Sequence, residues 1–206
     1  MNISSEDNSK LSQLFYYLQD ISLELQADFA IIGLVEATLE ARGFDSFIEY
    51  EGLITTEIKR GNPNTINTMA KVAFHNIILN ICRFAEAIQK SGCGKLLRRY
   101  CPNSQIRFNK FISEYYTDDI KKYRNCYATH PMDDNTKDFT PRSELISLCE
   151  KILGISSLHN LKILDFIRFL KKIHHIDEKN PDISLVWAIY EMSLELEKSG
   201  IALNRV

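Results

Sequence analysis

The sequence predicts an all-α protein, and three observations carry that prediction. Apolar residues recur at three- and four-residue spacing through long stretches, as in helices with one buried stripe. Gly and Pro number only 8 and 5 in 206 residues, too little punctuation for a many-stranded β protein. Hydrophobic residues make up 45% of the chain, enough for a sizeable core. The length suits one domain, or one domain with a helical extension.

The elements follow in order. Ser4 or Ser5 is suited to cap a first helix, whose stripe runs Leu11, Leu14, Phe15, Leu18, Ile21, Leu25 and Phe29. That helix is expected to continue through Ile32, Leu34 and Leu39 and to stop at Gly43. Residues 44–58 fit either a short helix or an irregular connection, and Gly61-Asn62-Pro63-Asn64 is a break. A second helix is expected from about Thr65 to Gln89, with Met69, Val72, Ala73, Ile77, Asn80, Ile81, Phe84 and Ile88 as its stripe. Ser91-Gly92-Cys93-Gly94 ends it. A basic segment, Lys95–Tyr100, leads to Pro102, and a third helix is expected from about Ser104 to Tyr123. A fourth helical element begins near Arg124, and residues 131–141 read as a polar loop. Three more helices are expected over 143–153, 156–176 and 183–199, the last with Trp187 in its core and Pro181-Asp182 as its start.

Composition narrows the function classes. No run of 18 apolar residues occurs, so no membrane span is expected, and the polar, acidic N-terminus lacks the features of a secretory signal. Five cysteines are odd in number and contain no C-x-x-C pair, which suggests neither a zinc site nor a redox motif. They read as reduced, packing thiols in a cytoplasmic protein. Net charge is −2, which argues against a generally basic nucleic-acid coat. The distribution is uneven: residues 1–60 hold eleven acidic and four basic side chains, whereas residues 95–124 hold eight basic and three acidic ones. Solvated helix faces account for such a stretch, and a local phosphate-binding patch accounts for it too.

One stretch carries a candidate for chemistry: Lys121-Lys122-Tyr123-Arg124-Asn125-Cys126-Tyr127-Ala128-Thr129-His130-Pro131. An arginine is followed by asparagine and, six positions on, by histidine. Arg168 and His174 repeat the spacing, but Phe169 replaces the polar residue after the arginine, and His174 and His175 fall at a helix C-terminus that favours cations. The first block resembles the R-N-x4-H form of the R-x4–6-H signature of HEPN domains; relative to the familiar R-N-x-x-x-A-H, alanine stands one position early at Ala128 and Thr129 intervenes before His130. The segment Phe74–Phe84 also resembles the central helix of an abortive-infection branch of that superfamily.

The resemblance covers roughly residues 10–155. It implies a HEPN-like helical bundle over residues 1–155, with residues 156–206 as a C-terminal helical extension packed on the same domain. It also implies a metal-independent endoribonuclease that needs no cofactor, in the setting of a toxin or phage-defence effector. Arg124 and His130 would be the catalytic pair, completed across a homodimer, with Asn125 and Tyr127 supporting. Lys121, Lys122, Arg98 and Arg99 would bind RNA, and an antitoxin or regulatory protein would be a further partner. The residue types suit the reaction, since histidine moves protons near neutrality and arginine forks onto phosphate oxygens. Six positions along a straight α-helix turn through about 600°, leaving the two side chains about 120° apart. A helix end at Thr129–Pro131 is therefore needed to bring His130 round.

Two other readings stand beside this one: a non-catalytic HEPN-like module that binds nucleic acid or a protein, and a helical scaffold in which Arg124 pairs with Asp118 or Asp119. Elsewhere, His75 reads as a hydrogen-bonded core histidine and His159 as a surface residue. Arg83 reads as paired with Glu86, and Tyr115, Tyr116 and Tyr123 as core packing before base stacking.

Overall fold

A computed structural model describes residues 3–41, 65–129, 141–157, 165, 168–170, 173, 185–201 and 203. Its elements are α1 (Ser5–Ala41), α2 (Thr65–Lys90), α3 (Gly94–Tyr100), α4 (Pro102–Tyr115), α5 (Asp118–Tyr123), a π-helical turn (Arg124–Thr129), α6 (Arg142–Leu153) and α7 (Leu185–Lys198). Among the described residues there is no strand, as the all-α prediction requires. Nor is any described helix long and apolar enough to cross a membrane. The segments 44–58, 61–64, 131–140 and most of 156–176, with Gly43, Leu39, Met69, His159, His174 and His175, lie outside what is described at side-chain level.

The chain gathers into two compact units: Met1–Leu25, Asn80–Thr117 and Lys171–Val206 form the first, and Gln26–Leu79 with Asp118–Leu170 the second. α1 and α2 each contribute residues to both. Ser4 caps α1, its Oγ accepting from the Asp7 N–H at 3.1 Å, and Glu6 and Asp7 place negative charge in the first turn where the helix dipole favours it. Among the described side chains of α1, a buried seam runs Leu11, Leu14, Leu18, Ile21, Leu25, Asp28, Ile32 and Val35, alternating three and four residues, with Phe15 and Ser22 buried beside it. One expectation for α1 is corrected: Phe29, placed in the stripe by its spacing, is not buried. Phe29 and Leu34 each lie one position off the seam and are 39% and 58% exposed. Asp28 takes the seam position instead, and its Oδ2 accepts from Asn76 Nδ2 at 2.8 Å. The same geometry leaves Val72 exposed on α2, where Ala73, Ile77, Asn80, Ile81, Phe84 and Ile88 are buried.

The core of the first unit is aromatic. Phe84 meets Phe108 and Phe111 edge-on, with centroids 5.3 and 5.1 Å apart, and all three are almost fully buried. α7 packs on α4, and its buried face is Leu185, Ala188, Ile189, Met192, Glu195 and Leu196, which explains why Trp187 is not core. Trp187 lies off the face and is 47% exposed, beside Tyr190. Two acidic residues on α7 serve α4. Glu191 pairs with Arg107, and Glu195, only 9% exposed, accepts from the Asn103 N–H, the Ser104 N–H and the Ser104 hydroxyl. The N-cap position of α4, Cys101, supplies no side-chain bond of its own, so Glu195 satisfies the first-turn donors from another helix.

Arg83 is bound differently from the expectation. Its Nη1 lies 2.7 Å from Glu24 Oε2 and 2.9 Å from Asn80 Oδ1, and the guanidinium rests over the Tyr17 ring at 5.4 Å. Glu86 is engaged by Lys90 one helical turn on, at 3.0 Å.

The long third helix is in fact two. Tyr116, with ψ 58°, leaves the α region, and the acidic pair Asp118-Asp119 starts α5 afresh. Tyr115 is buried as expected, and Tyr116 is half-buried. The basic segment before Pro102 is helical. Gly92 and Gly154, at φ 75° and 69°, provide the left-handed residues that terminate α2 and α6. The five cysteines are free thiols, four of them buried.

Candidate nucleic-acid site

The arginine–histidine block starts where α5 ends. In the second unit, α5 is tied to α6 by the ion pair of Lys122 with Glu144, and Lys151 Nζ lies 4.0 Å from Asp119 Oδ1. Ile120, Tyr123 and Cys126 are buried at three-residue spacing, and Leu148 of α6 is buried as well. Between the two buried anchors Tyr123 and Cys126 stand Arg124, half-buried, and Asn125, exposed. The polar residues of the motif thus stand between two that are packed away from solvent.

From Arg124 to Thr129 the backbone is π-helical. Such a turn closes its hydrogen bonds over five residues instead of four and widens the helix, a form found mostly as single turns within α-helices and frequently at functional sites. The 120° separation drawn for a straight α-helix therefore does not apply to this stretch. The sequence supplies a reason for the departure. Pro131 has no N–H, and in a continued α-helix its ring would clash with the carbonyl four residues back, that of Tyr127. His130 and the Tyr127 side chain lie outside the described residues, as does Pro131.

Arg124 Nε donates to Asn125 Oδ1 at 3.1 Å. The bond takes up the Nε–H and leaves the guanidinium's planar fork, the geometry that lets an arginine meet two phosphate oxygens at once, on its Nη side. Asp118, one of the alternative partners considered for Arg124, is engaged by Lys121 at 2.9 Å.

Two of the four candidate RNA-binding residues, Lys121 and Lys122, are engaged by carboxylates of the second unit. Arg98 and Arg99 belong to α3 in the first unit and are exposed, with Arg99 over the Tyr100 ring at 5.1 Å. Among the described residues, no three His, Cys, Asp or Glu side chains gather as a metal ion would require.

His75 and Tyr123, each a packing residue by its spacing, are joined in the fold. Tyr123 Oη lies 3.1 Å from His75 Nδ1, and the rings stack with centroids 5.6 Å apart. The residues are 48 positions apart on different helices, so no local pattern signals the pair.

A family model described as HEPN-like integron domain matches residues 7–158, well over half of the chain and including the whole arginine–histidine block. No curated protein and no solved structure matches the chain.

Proposed function

The chain belongs to the HEPN-like integron domain family, and on that premise we propose that it is a metal-independent endoribonuclease whose site is built on Arg124 and His130. The observation that carries the proposal is the setting of Arg124: it opens a π-helical turn, stands between the buried Tyr123 and Cys126, and donates from Nε to Asn125 Oδ1. A charge fixed in direction before substrate arrives stabilises the developing charge on a phosphate without reorganising during the reaction.

In the proposed reaction a ribose 2′-oxygen attacks the adjacent phosphorus, and the bond to the 5′-oxygen breaks. The 2′-hydroxyl gives up its proton and the departing 5′-oxygen receives one. The products are a 2′,3′-cyclic phosphate and a 5′-hydroxyl. His130 serves as the proton carrier and Arg124 forks onto the non-bridging oxygens. A homodimer would bring two copies of the motif to one cleft, following the resemblance that the block bears to HEPN nucleases. The same resemblance supports a toxin or phage-defence setting and a regulatory partner protein. Arg98 and Arg99 are the exposed cations proposed to meet RNA, with Lys121 and Lys122 contributing as their carboxylate partners yield.

The test is cleavage of several RNA classes in EDTA by wild type, His130→Ala and Arg124→Lys, with product ends identified. Cleavage by wild type alone, leaving cyclic phosphate ends, is expected. Arg124→Lys keeps the charge and loses the fork, so a drop of about a hundredfold is expected. Equal cleavage by wild type and His130→Ala would place the activity elsewhere. RNA binding without cleavage would make the chain a binding module.

A further inference from the structure

The junction between α5 and the π-helical turn is held by a pair of side chains that the proposed chemistry leaves idle. Tyr123, the last residue of α5, is 3% exposed. Its hydroxyl meets Nδ1 of the half-buried His75, and its ring stacks on the imidazole at an interplanar angle of 30°. Phe74 meets the same tyrosine edge-on at 5.4 Å and packs against Phe169 at 6.0 Å. α5 is tied to α6 as well, through Lys122 and Glu144. Its backbone is thus secured to two other helices up to the residue before Arg124. Cys126, 8% exposed, anchors the chain again two residues after the arginine.

A π-helical turn is an uncommon local state, and its position depends on what holds its ends. The start of this turn is Arg124 itself. A small shift at Tyr123 therefore reaches the guanidinium with no intervening residue to absorb it, and a misplacement of about 1 Å is enough to cost a reaction about a hundredfold. A hydroxyl both donates and accepts, so it meets either tautomer of the imidazole, and the contact is directional where ring packing alone is not.

We infer that His75 and Tyr123 are positioning residues for Arg124, a clamp between α2 and the end of α5 that sets where the π-helical turn begins. This inference rests on the reading of Arg124 as the phosphate-binding fork. Neither residue touches substrate; each acts through the backbone of the arginine.

Tyr123→Phe removes the hydroxyl and keeps the buried ring, so it tests the bond without emptying the core. His75→Ala removes the partner, and His75→Asn returns a polar atom near the position of Nδ1. Two readouts are taken on the full chain. The first is solvent exchange of the Arg124 Nε–H by nuclear magnetic resonance, assigned through Arg124→Lys. The second is kcat and KM for RNA cleavage. Exchange is expected to quicken about tenfold or more in Tyr123→Phe and His75→Ala and to return toward wild type in His75→Asn. kcat is expected to fall about tenfold to a hundredfold with KM unchanged, with the same rescue. Unchanged exchange and kcat in Tyr123→Phe would overturn the clamp in an active nuclease. If wild type cleaves no RNA, the ribonuclease reading falls, and the exchange rates alone decide the clamp: unchanged exchange overturns it, and faster exchange with rescue upholds it.

Discussion

Glu195→Ala is expected to be among the most destabilising single truncations of a charged residue in the first unit. The carboxylate accepts three hydrogen bonds from the first turn of α4: the Asn103 N–H at 3.1 Å, the Ser104 N–H at 3.0 Å and the Ser104 Oγ at 2.6 Å. Asn103 is exposed, so its N–H finds water once the carboxylate is gone. Ser104 is 0% exposed, so its N–H and hydroxyl lose their acceptor with no replacement. A buried donor left without a partner costs about 1–3 kcal/mol. Two such donors, with some local relaxation, give a loss of about 3 kcal/mol, which for a chain of this size lowers Tm by about 6–12 °C. Glu195→Gln keeps one acceptor oxygen but sets an amide NH2 against the remaining donors, so a loss of about 1–2 kcal/mol is expected. Urea unfolding followed by circular dichroism measures both variants, and a cycle with Ser104→Ala isolates the contact, with an expected coupling of about 1–2 kcal/mol. A Glu195→Ala protein within about 0.5 kcal/mol of wild type, with no coupling to Ser104, would refute the account of Glu195 as the cap of α4.

Two further predictions follow from the same unit. Arg83 and Glu24 are 37% and 39% exposed at their side chains, so their double-mutant cycle is expected to give only about 0.5–1 kcal/mol. The Arg83–Glu86 cycle is expected to be near zero, and a larger coupling to Glu86 than to Glu24 would reverse the assignment. Burial, assisted by the nearby Glu195 carboxylate, pushes the Cys101 thiol up from 9.0 to about 12, and burial likewise pushes the Tyr115 phenol upward. Below pH 9 the thiol is protonated in both folded and unfolded chains and costs nothing. Above it the unfolded chain ionises first, so stability falls by up to about 1.4 kcal/mol per pH unit for the thiol until the folded group also titrates near pH 12. Alkaline unfolding series on wild type and Cys101→Ala measure this, and native Cys101 is expected to resist alkylation at pH 8; equal alkaline sensitivity of the two proteins would contradict it.

Much of the candidate site was legible because it is local. Arg124, Asn125 and His130 lie within seven residues, and a pattern that short is visible wherever the chain folds. The surrounding helices were legible for a similar reason, since a stripe at helical spacing records which side of a helix avoids water. The misses concerned burial. Phe29 follows a seam position as Phe15 does, yet only Phe15 is buried, so the packing around each position and not its spacing decides. Trp187 is large and apolar, but position on the helix face, not size, decides burial.

Local chemistry thus determined that this chain is helical and that an arginine stands beside an asparagine in a HEPN-type domain, though not the break at Tyr116. Tertiary structure decided the partners: Glu24 in place of Glu86 for Arg83, Glu195 as the cap of α4, and His75 on Tyr123 beside the motif. The physical reason is distance along the chain. Helix propensity, capping and stripes act within a few residues, whereas these pairs join positions 48 to 92 residues apart, and only packing brings them within reach of a hydrogen bond.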